Sequence, residues 1–378
     1  MKELANILEL WSEAEARGEM GILATVVKTR GSSYRLPGAR LLMTQRGARA
    51  GSVSGGCLED DLVKKAWWLT ESGPVVRRYD TTPDGEIATG YGLGCNGIIH
   101  ILLERLYPGR PNVLGLIRDV RLHRKLAAFA CVLSPAELAG QSLSIDVAGE
   151  LQNGATAFQG PDSVPAQMRT ALEQKTSRLV DVEGDEVFIE TLAPPVRLLV
   201  FGAGDDAKPL TTLAKFLGWQ VIVSDGRSHY ARRERFPHAD EVVVRGPGAP
   251  VLMNPVDDWT VAVLMSHSYS QDLEVLRELA DKPLRYLGVL GPRNRTMQLL
   301  SDARLDSSIV LSELHGPMGL DIGADGPEQV ALSVISEIQA TLNGRTGGML
   351  RERRGSIHAP EHAVQDPERA WAQSIVCA

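Results

Sequence analysis

Two cysteines stand in loops made mostly of glycine. Cys57 follows Gly55-Gly56 in GSVSGGCLEDD, and Cys95 follows Gly94 in GYGLGCNG. Glycine lets a backbone approach a ligand closely and bares amide N–H groups, which suits an anionic group. A thiol in such a loop, with Cys57 just ahead of a predicted helix, has the setting for a lowered pKa and for soft-ligand or nucleophilic chemistry. For one such cysteine, a demand for a small side chain is the plainer reading. Two, both flanked by glycine, favour chemistry. Glu59, Asp60 and Asp61 read as helix-start charges. The stretch from Gly31 through Ser33, Arg35 and Gly38 to Arg40 is another loop suited to an anion, or else a hairpin connection.

A third glycine loop has a different logic. Residues 202–207, GAGDDA, fit G-x-G-x-x-(G/A) between a strand and a helix. Gly202 permits the tight turn, Gly204 lets a diphosphate approach the backbone, and Ala207 lets helix and strand pack closely. The next strand ends at Asp225, 21 residues after Gly204, where a ribose diol would be gripped, and Arg227 follows it. Asp205 and Asp206 put two charges beside the expected diphosphate. They are open to three readings: helix caps, holders of a metal that offsets the phosphates, or a site that has drifted. His267 and Asp272 flank a later helix at the sheet edge where α/β ligands bind, although Asp272 as a helix cap and His267 as a loop residue is the plainer account. Arg293 and Arg295 follow the glycine turn of GVLGPRNR and suit an anion or solvent. Glu104-Arg105 reads as a structural ion pair.

These residues need elements to hold them. Helical spacing of Leu4, Ile7, Leu8 and Trp11 predicts a first helix that stops near Gly18. Strands are predicted at 21–28, 40–44, 75–79 and 98–103, with a helix over 58–69. A helix at 113–122 and strands at 127–132 and 186–190, joined by polar connections, complete the first part as a second layer. Pro194-Pro195 marks a linker. Beyond it, strands at 197–201, 220–224, 241–245, 260–265 and 285–290 alternate with helices at 208–218 and 272–280, the texture of a parallel sheet covered on both faces. A last helix, 328–342, begins after Asp325 as its N-cap. The expected fold class is α/β: a mixed α+β domain over 1–193, a Rossmann-type doubly wound domain over 194–345, and a mobile tail over 346–378.

The bulk properties narrow the setting. The 378 residues are 43% hydrophobic and 23% charged, enough for real cores. A net charge of −7 argues against nucleic acid or an anionic membrane as the main partner. No run approaches the ~20 apolar residues of a membrane span, and the first residues form an acidic amphipathic pattern unlike a signal peptide. A soluble, cytoplasmic protein is the expectation. The four cysteines, Cys57, Cys95, Cys131 and Cys377, have no CxxC spacing and make neither a disulfide framework nor a zinc ribbon.

Together these stretches resemble the XdhC/CoxI family, accessory proteins of molybdenum hydroxylases such as xanthine dehydrogenase and aerobic CO dehydrogenase. The resemblance runs from about residue 5 to 345. It rests on TRGSSYRLPGARLLM, GSVSGGCLED and GYGLGCNGIIHILLERL, then on LLVFGAGDDAKPL, DGR, MSHSYSQD, YLGVLGPRNR and GPMGLDIGADGPEQVALSVISEI. It implies a protein that binds molybdenum cofactor, as molybdopterin or its dinucleotide form, protects it while a cysteine desulfurase supplies the sulfido ligand, and delivers it to an apo-molybdenum hydroxylase. Cys57 and Cys95 match the family's cysteine loops, with Cys57 as a molybdenum contact; a thiolate suits that soft setting. GDDA stands where other members have a histidine-containing turn, so pterin, NAD(P) or nothing stay open as its ligand. The rival reading is an NAD(P)-dependent oxidoreductase, with only His267 and His315 as candidate proton donors. A homodimer is expected in either case.

Overall fold

Strand β1 (Gly21–Gly31) is apolar on both sides, and both sides are used. Ile22 and Ala24 point to one core and Leu23 to another, because successive side chains of a strand face opposite ways. The computed structural model describes residues 2–31, 33–56, 58–80, 97–154, 157–246, 248–252, 255–305 and 314–353. Cys57, Gly94, Cys95, Cys377 and most of the tail lie outside them. The chain divides into two compact units, Glu3–Pro194 and Pro195–Arg353.

The first unit begins with α1 (Lys2–Ala16) and β1. Sheet A follows as β2 (Arg40–Thr44), β3 (Arg49–Gly51), β4 (Val75–Asp80) and β5 (Gly97–Leu106), with α2 (Glu59–Leu69) before β4. Its order is β3-β2-β1-β5-β4, antiparallel throughout. After α3 (Val113–His123), β6 (Ala127–Ser134), β7 (Ser142–Ile145), β8 (Leu151–Asn153), β9 (Arg178–Val182) and β10 (Asp185–Leu192) make sheet B, in the order β8-β7-β6-β10-β9. Helix α4 (Val164–Gln174) precedes β9. One core joins α2 to sheet A through Ile22, Leu62, Ala66 and Ile101. A second joins the other face of sheet A to α1, α3 and sheet B through Trp11, Leu23, Leu102, Ile117 and Phe188. A third packs α4 on the far side of sheet B through Met168 and Val187. The stretch between β6 and β10, which the sequence presents as polar connections, thus supplies three strands and a helix.

The second unit holds β11 (Arg197–Phe201), β12 (Gln220–Asp225), β13 (Glu241–Val244), β14 (Thr260–Leu264), β15 (Leu287–Val289) and β16 (Leu314–His315). All pair in parallel in the order β13-β12-β11-β14-β15-β16, the doubly wound arrangement expected. Helices α5 (Ala207–Phe216) and α8 (Pro327–Leu342) cover one face around Leu198, Val200, Leu210 and Val334. Helices α6 (Tyr269–Leu279) and α7 (Arg293–Ala303), the latter not expected, cover the other around Phe201, Leu264, Leu276 and Leu299. Asp325 is not the N-cap of α8. That position is Gly326, and the Gln329 side chain accepts from the N–H groups of Asp325 and Gly326 at 2.8 and 3.3 Å.

Candidate functional site

In the first unit the loop before Cys57 is organised by one carboxylate. Glu59 Oε1 accepts from Ser52 Oγ (2.7 Å) and from the Val53 and Ser54 N–H groups (both 2.9 Å). Glu59 Oε2 accepts from Ser54 Oγ and from the N–H groups of Gly56 (2.8 Å) and Leu58 (3.2 Å). Burial pushes this carboxyl up, but the donors from Ser54, Ser52 and the Ser54 amide outweigh it and bring it down to about 2. Glu59 is therefore more than a helix-start charge. Gly55 and Gly56 have φ of +79° and +117°, a region only glycine enters freely, and Tyr34 lies against Gly55. Most of the loop's amides are already satisfied, so it is a rigid platform and not an open anion cradle. The sequence holds one signal for this. Glu59 lies three residues after Gly56, the reach-back spacing of a capping box.

The neighbouring arginines are likewise engaged. Arg35 pairs with Glu3 at 2.6 Å. Arg40 donates to Gly38 O (2.8 Å) and to both oxygens of Glu190, with Arg40 4% and Glu190 8% exposed. This overturns the anion-loop reading of that hairpin. Glu104 and Arg105 do not pair either, because consecutive strand residues face opposite ways. Arg105 donates to Thr70 Oγ1 (3.0 Å) and Trp67 O (2.6 Å). Burial lifts the Glu104 carboxyl to about 7 despite Arg40. Cys131 is a buried thiol whose pKa burial and Glu104 push well up, which makes it inert.

In the second unit the glycine turn sits at the carboxyl end of β11, beside the switch point between β11 and β14. A Cβ on Gly202, at φ +127°, would collide with the Met265 carbonyl. Asp225 is not free for a ribose. Its buried carboxylate accepts from Ala203 N–H (2.8 Å), Arg227 N–H (2.8 Å), Arg227 Nε (3.0 Å) and Arg227 Nη2 (2.7 Å), tying β12 to the turn. Asp205 pairs with Lys208 (2.6 Å) and Arg235 (3.0 Å). Asp206 holds the N-cap position of α5 without capping it; its Oδ2 meets His267 Nε2 at 2.7 Å. His267 has a φ of +57°, costly outside glycine, and no sequence pattern announces it.

Asp272 does not cap α6, whose N-cap is Ser268. Buried, it accepts from Ser266 Oγ (2.5 Å) and Arg295 Nη2 (2.7 Å). Arg295 is thus a strut, whereas Arg293 stays exposed at the start of α7. His315 stacks on Tyr286 at 4.3 Å and meets Glu337 at 3.1 Å, a packed clamp and not a substrate-facing acid. The crossover from β13 to β14 has no helix among the described residues. Beneath it a cavity of about 230 Å³ opens between Leu199, Phe201, Ile222, Val243 and Val251, with Arg245 at its wall.

The XdhC and CoxI family profile matches residues 14–80, and that of the XdhC Rossmann domain matches 198–338. A protein of Bacillus subtilis (strain 168), named as a probable xanthine dehydrogenase subunit, is 33% identical over 85% of this chain and 93% of its own. The molybdenum cofactor insertion chaperone PaoD of Escherichia coli (strain K12) is 25% identical over 88% of this chain and 87% of its own. A crystal structure described as a xanthine dehydrogenase from Bacillus halodurans superposes with a TM-score of 0.76 at 29% identity, covering 90% of this chain and 96% of that one. No helix among the described residues is long and apolar enough to cross a membrane. With similarity running through both units, the chain belongs to the XdhC and CoxI family.

Proposed function

We propose that the chain is an accessory factor that binds molybdenum cofactor, supports its sulfuration by a cysteine desulfurase and delivers it to an apo-molybdenum hydroxylase of the xanthine dehydrogenase or CO dehydrogenase type. It acts in the cytoplasm, as a homodimer, and is not an independent enzyme. The observation that carries this reading is the loop at residues 52–56, locked by Glu59 immediately before Cys57. A rigid platform suits a residue that must meet a large cofactor without turning it over. Kinship with a relative named as an insertion chaperone points the same way. Cys57 and Cys95 supply soft contacts to molybdenum and sulfur. The glycine turn of the second unit offers a phosphate seat of its own, with Gly202 and Gly204 allowing close approach and His267 and Arg293 as hydrogen-bonding partners. Asp225 and Arg227 shape the turn and do not touch the ligand.

The protein should carry molybdenum and pterin when purified from cells with an intact molybdopterin pathway, seen by metal analysis and by fluorescence of the oxidised pterin. A wild type that loads neither sinks the proposal. Cys57→Ala should stay folded and lose loading or sulfuration; a target hydroxylase fully active after maturation with that variant removes Cys57 from the mechanism.

An NAD(P)-dependent oxidoreductase is favoured only by the glycine turn and strand order of the second unit, and it lacks a free acid at Asp225. Tight NADH binding with turnover of a small carbonyl substrate would support it.

A further inference from the structure

In open parallel sheets, ligands enter the crevice at the carboxyl edge where strand order reverses. Here that crevice lies between the turn after β11 and the loop after β14, and one contact spans it: Asp206 Oδ2 to His267 Nε2, 2.7 Å. The other oxygen, Asp206 Oδ1, lies so close over Gly204 that a Cβ there would collide with it. It is buried and meets no donor among the described residues. The Gly204 N–H has no acceptor among them either. A carboxylate with an unsatisfied buried oxygen is thus folded over the glycine that gives a phosphate its close approach. The remaining charges around it are balanced. Asp205 is held by Lys208 and Arg235, Asp225 by Arg227, and Asp272 by Arg295. Among these four carboxylates, Asp206 alone pairs with an imidazole and not with a Lys or Arg side chain.

We propose that Asp206 and His267 form a latch on a phosphate seat in the second unit. Asp206 fills the seat when it is empty. An incoming phosphate ester displaces that carboxylate, and His267 exchanges Asp206 for a phosphate oxygen. A carboxylate and a phosphate cannot share the seat, because like charges at hydrogen-bonding range repel strongly in a partly enclosed site. The latch makes the seat selective: the turn rejects weakly held anions and opens for a ligand whose other contacts supply the difference. His267 is held in left-handed backbone at the place where it can reach either partner. The inference rests on the second unit taking a phosphate-bearing ligand at its glycine turn. It does not depend on which ligand that is.

The test is calorimetric titration of the full chain with inorganic pyrophosphate, without divalent cations. Asp206→Asn keeps the shape and removes the charge, and should bind pyrophosphate at least tenfold more tightly than wild type. Adding His267→Gln to Asp206→Asn should return most of that gain. Equal or weaker binding by Asp206→Asn overturns the latch, as does a double variant that binds as tightly as the single one. Asp206→Ser serves as a second opening variant if thermal unfolding shows Asp206→Asn to be misfolded, and the same outcomes apply to it. Loss of a purely structural contact would weaken binding in every variant, so the sign of the change separates the two roles. Displacement of pyrophosphate by NADH assigns the seat to a nicotinamide dinucleotide; displacement by AMP and not by NADH assigns it to a phosphate monoester. Loading of molybdenum cofactor on the wild type is measured separately, so failure of the carrier function and failure of the latch are told apart.

Discussion

The two glycine loops whose amides can be followed look alike in sequence and differ in what holds them. In residues 52–56, Glu59 reaches into the loop from the following helix and takes three amides and two hydroxyls, besides the Leu58 N–H. In residues 202–206, Asp225 takes only the Ala203 N–H and otherwise serves Arg227, which leaves Gly204 open beneath Asp206. The first loop is finished by its own chain; the second keeps an oxygen of Asp206 without a donor among the described residues. Glycine content announces that a backbone can come close to a ligand. Whether its amides are still free depends on one acid further along.

Removing Glu59 should have the largest effect on that contrast. Glu59→Ala strands several buried donors and should cost the first unit about 3–5 kcal/mol in urea unfolding. A loss below 1 kcal/mol would mean that water replaces the carboxylate, and the two loops would then be alike. Acid should act next. Glu59 is held at about 2 against an ordinary 4.5, so its contribution is complete above pH 4.5 and disappears as pH falls toward 2. That shift corresponds to about 3 kcal/mol. The stability gap between wild type and Glu59→Gln should therefore narrow between about pH 4.5 and pH 2. Asp225→Asn should cost the second unit about 1–3 kcal/mol, because Arg227 loses its ionised partner. The same variant should leave pyrophosphate affinity within about threefold, the free-energy scale of a contact that shapes without touching. A tenfold loss would return Asp225 to the ligand. The smallest effect should come from Ser52→Ala, about 1 kcal/mol, since Ser52 Oγ links Glu59 to the Gly55 N–H within an otherwise intact loop.

The second unit is the more legible in sequence. Its strands are apolar runs buried on both faces, and its glycine turn, following strand and helix lie within 30 residues of each other. Local pattern and tertiary role coincide there. The first unit is legible where strands are apolar, as in β1, β2 and β6, and opaque over residues 142–182. There β8 is exposed along its length, β9 is mostly half-buried, and both are strands because neighbours pair with them. The partners of the candidate site residues are hidden for a related reason. Residue type and place assign Arg40, Asp225 and Asp272 to ligands or caps, yet each is claimed by a partner that spacing does not reveal. The bridge from Asp206 to His267 spans 61 positions.

Arg40 and Glu190 are 150 positions apart, and their pairing has a consequence for synthesis on the ribosome. Until β10 has emerged, the guanidinium of the second strand lacks its hydrogen-bonded counter-charge, and the other carboxyl near it, Glu104, is driven toward its neutral form by burial, so sheet A would close around a poorly compensated cation. Half of the polypeptide must therefore leave the exit tunnel before the first unit can settle. A nascent chain stalled near residue 80, although it contains the whole matched N-terminal segment, should therefore remain open to protease until more chain has emerged.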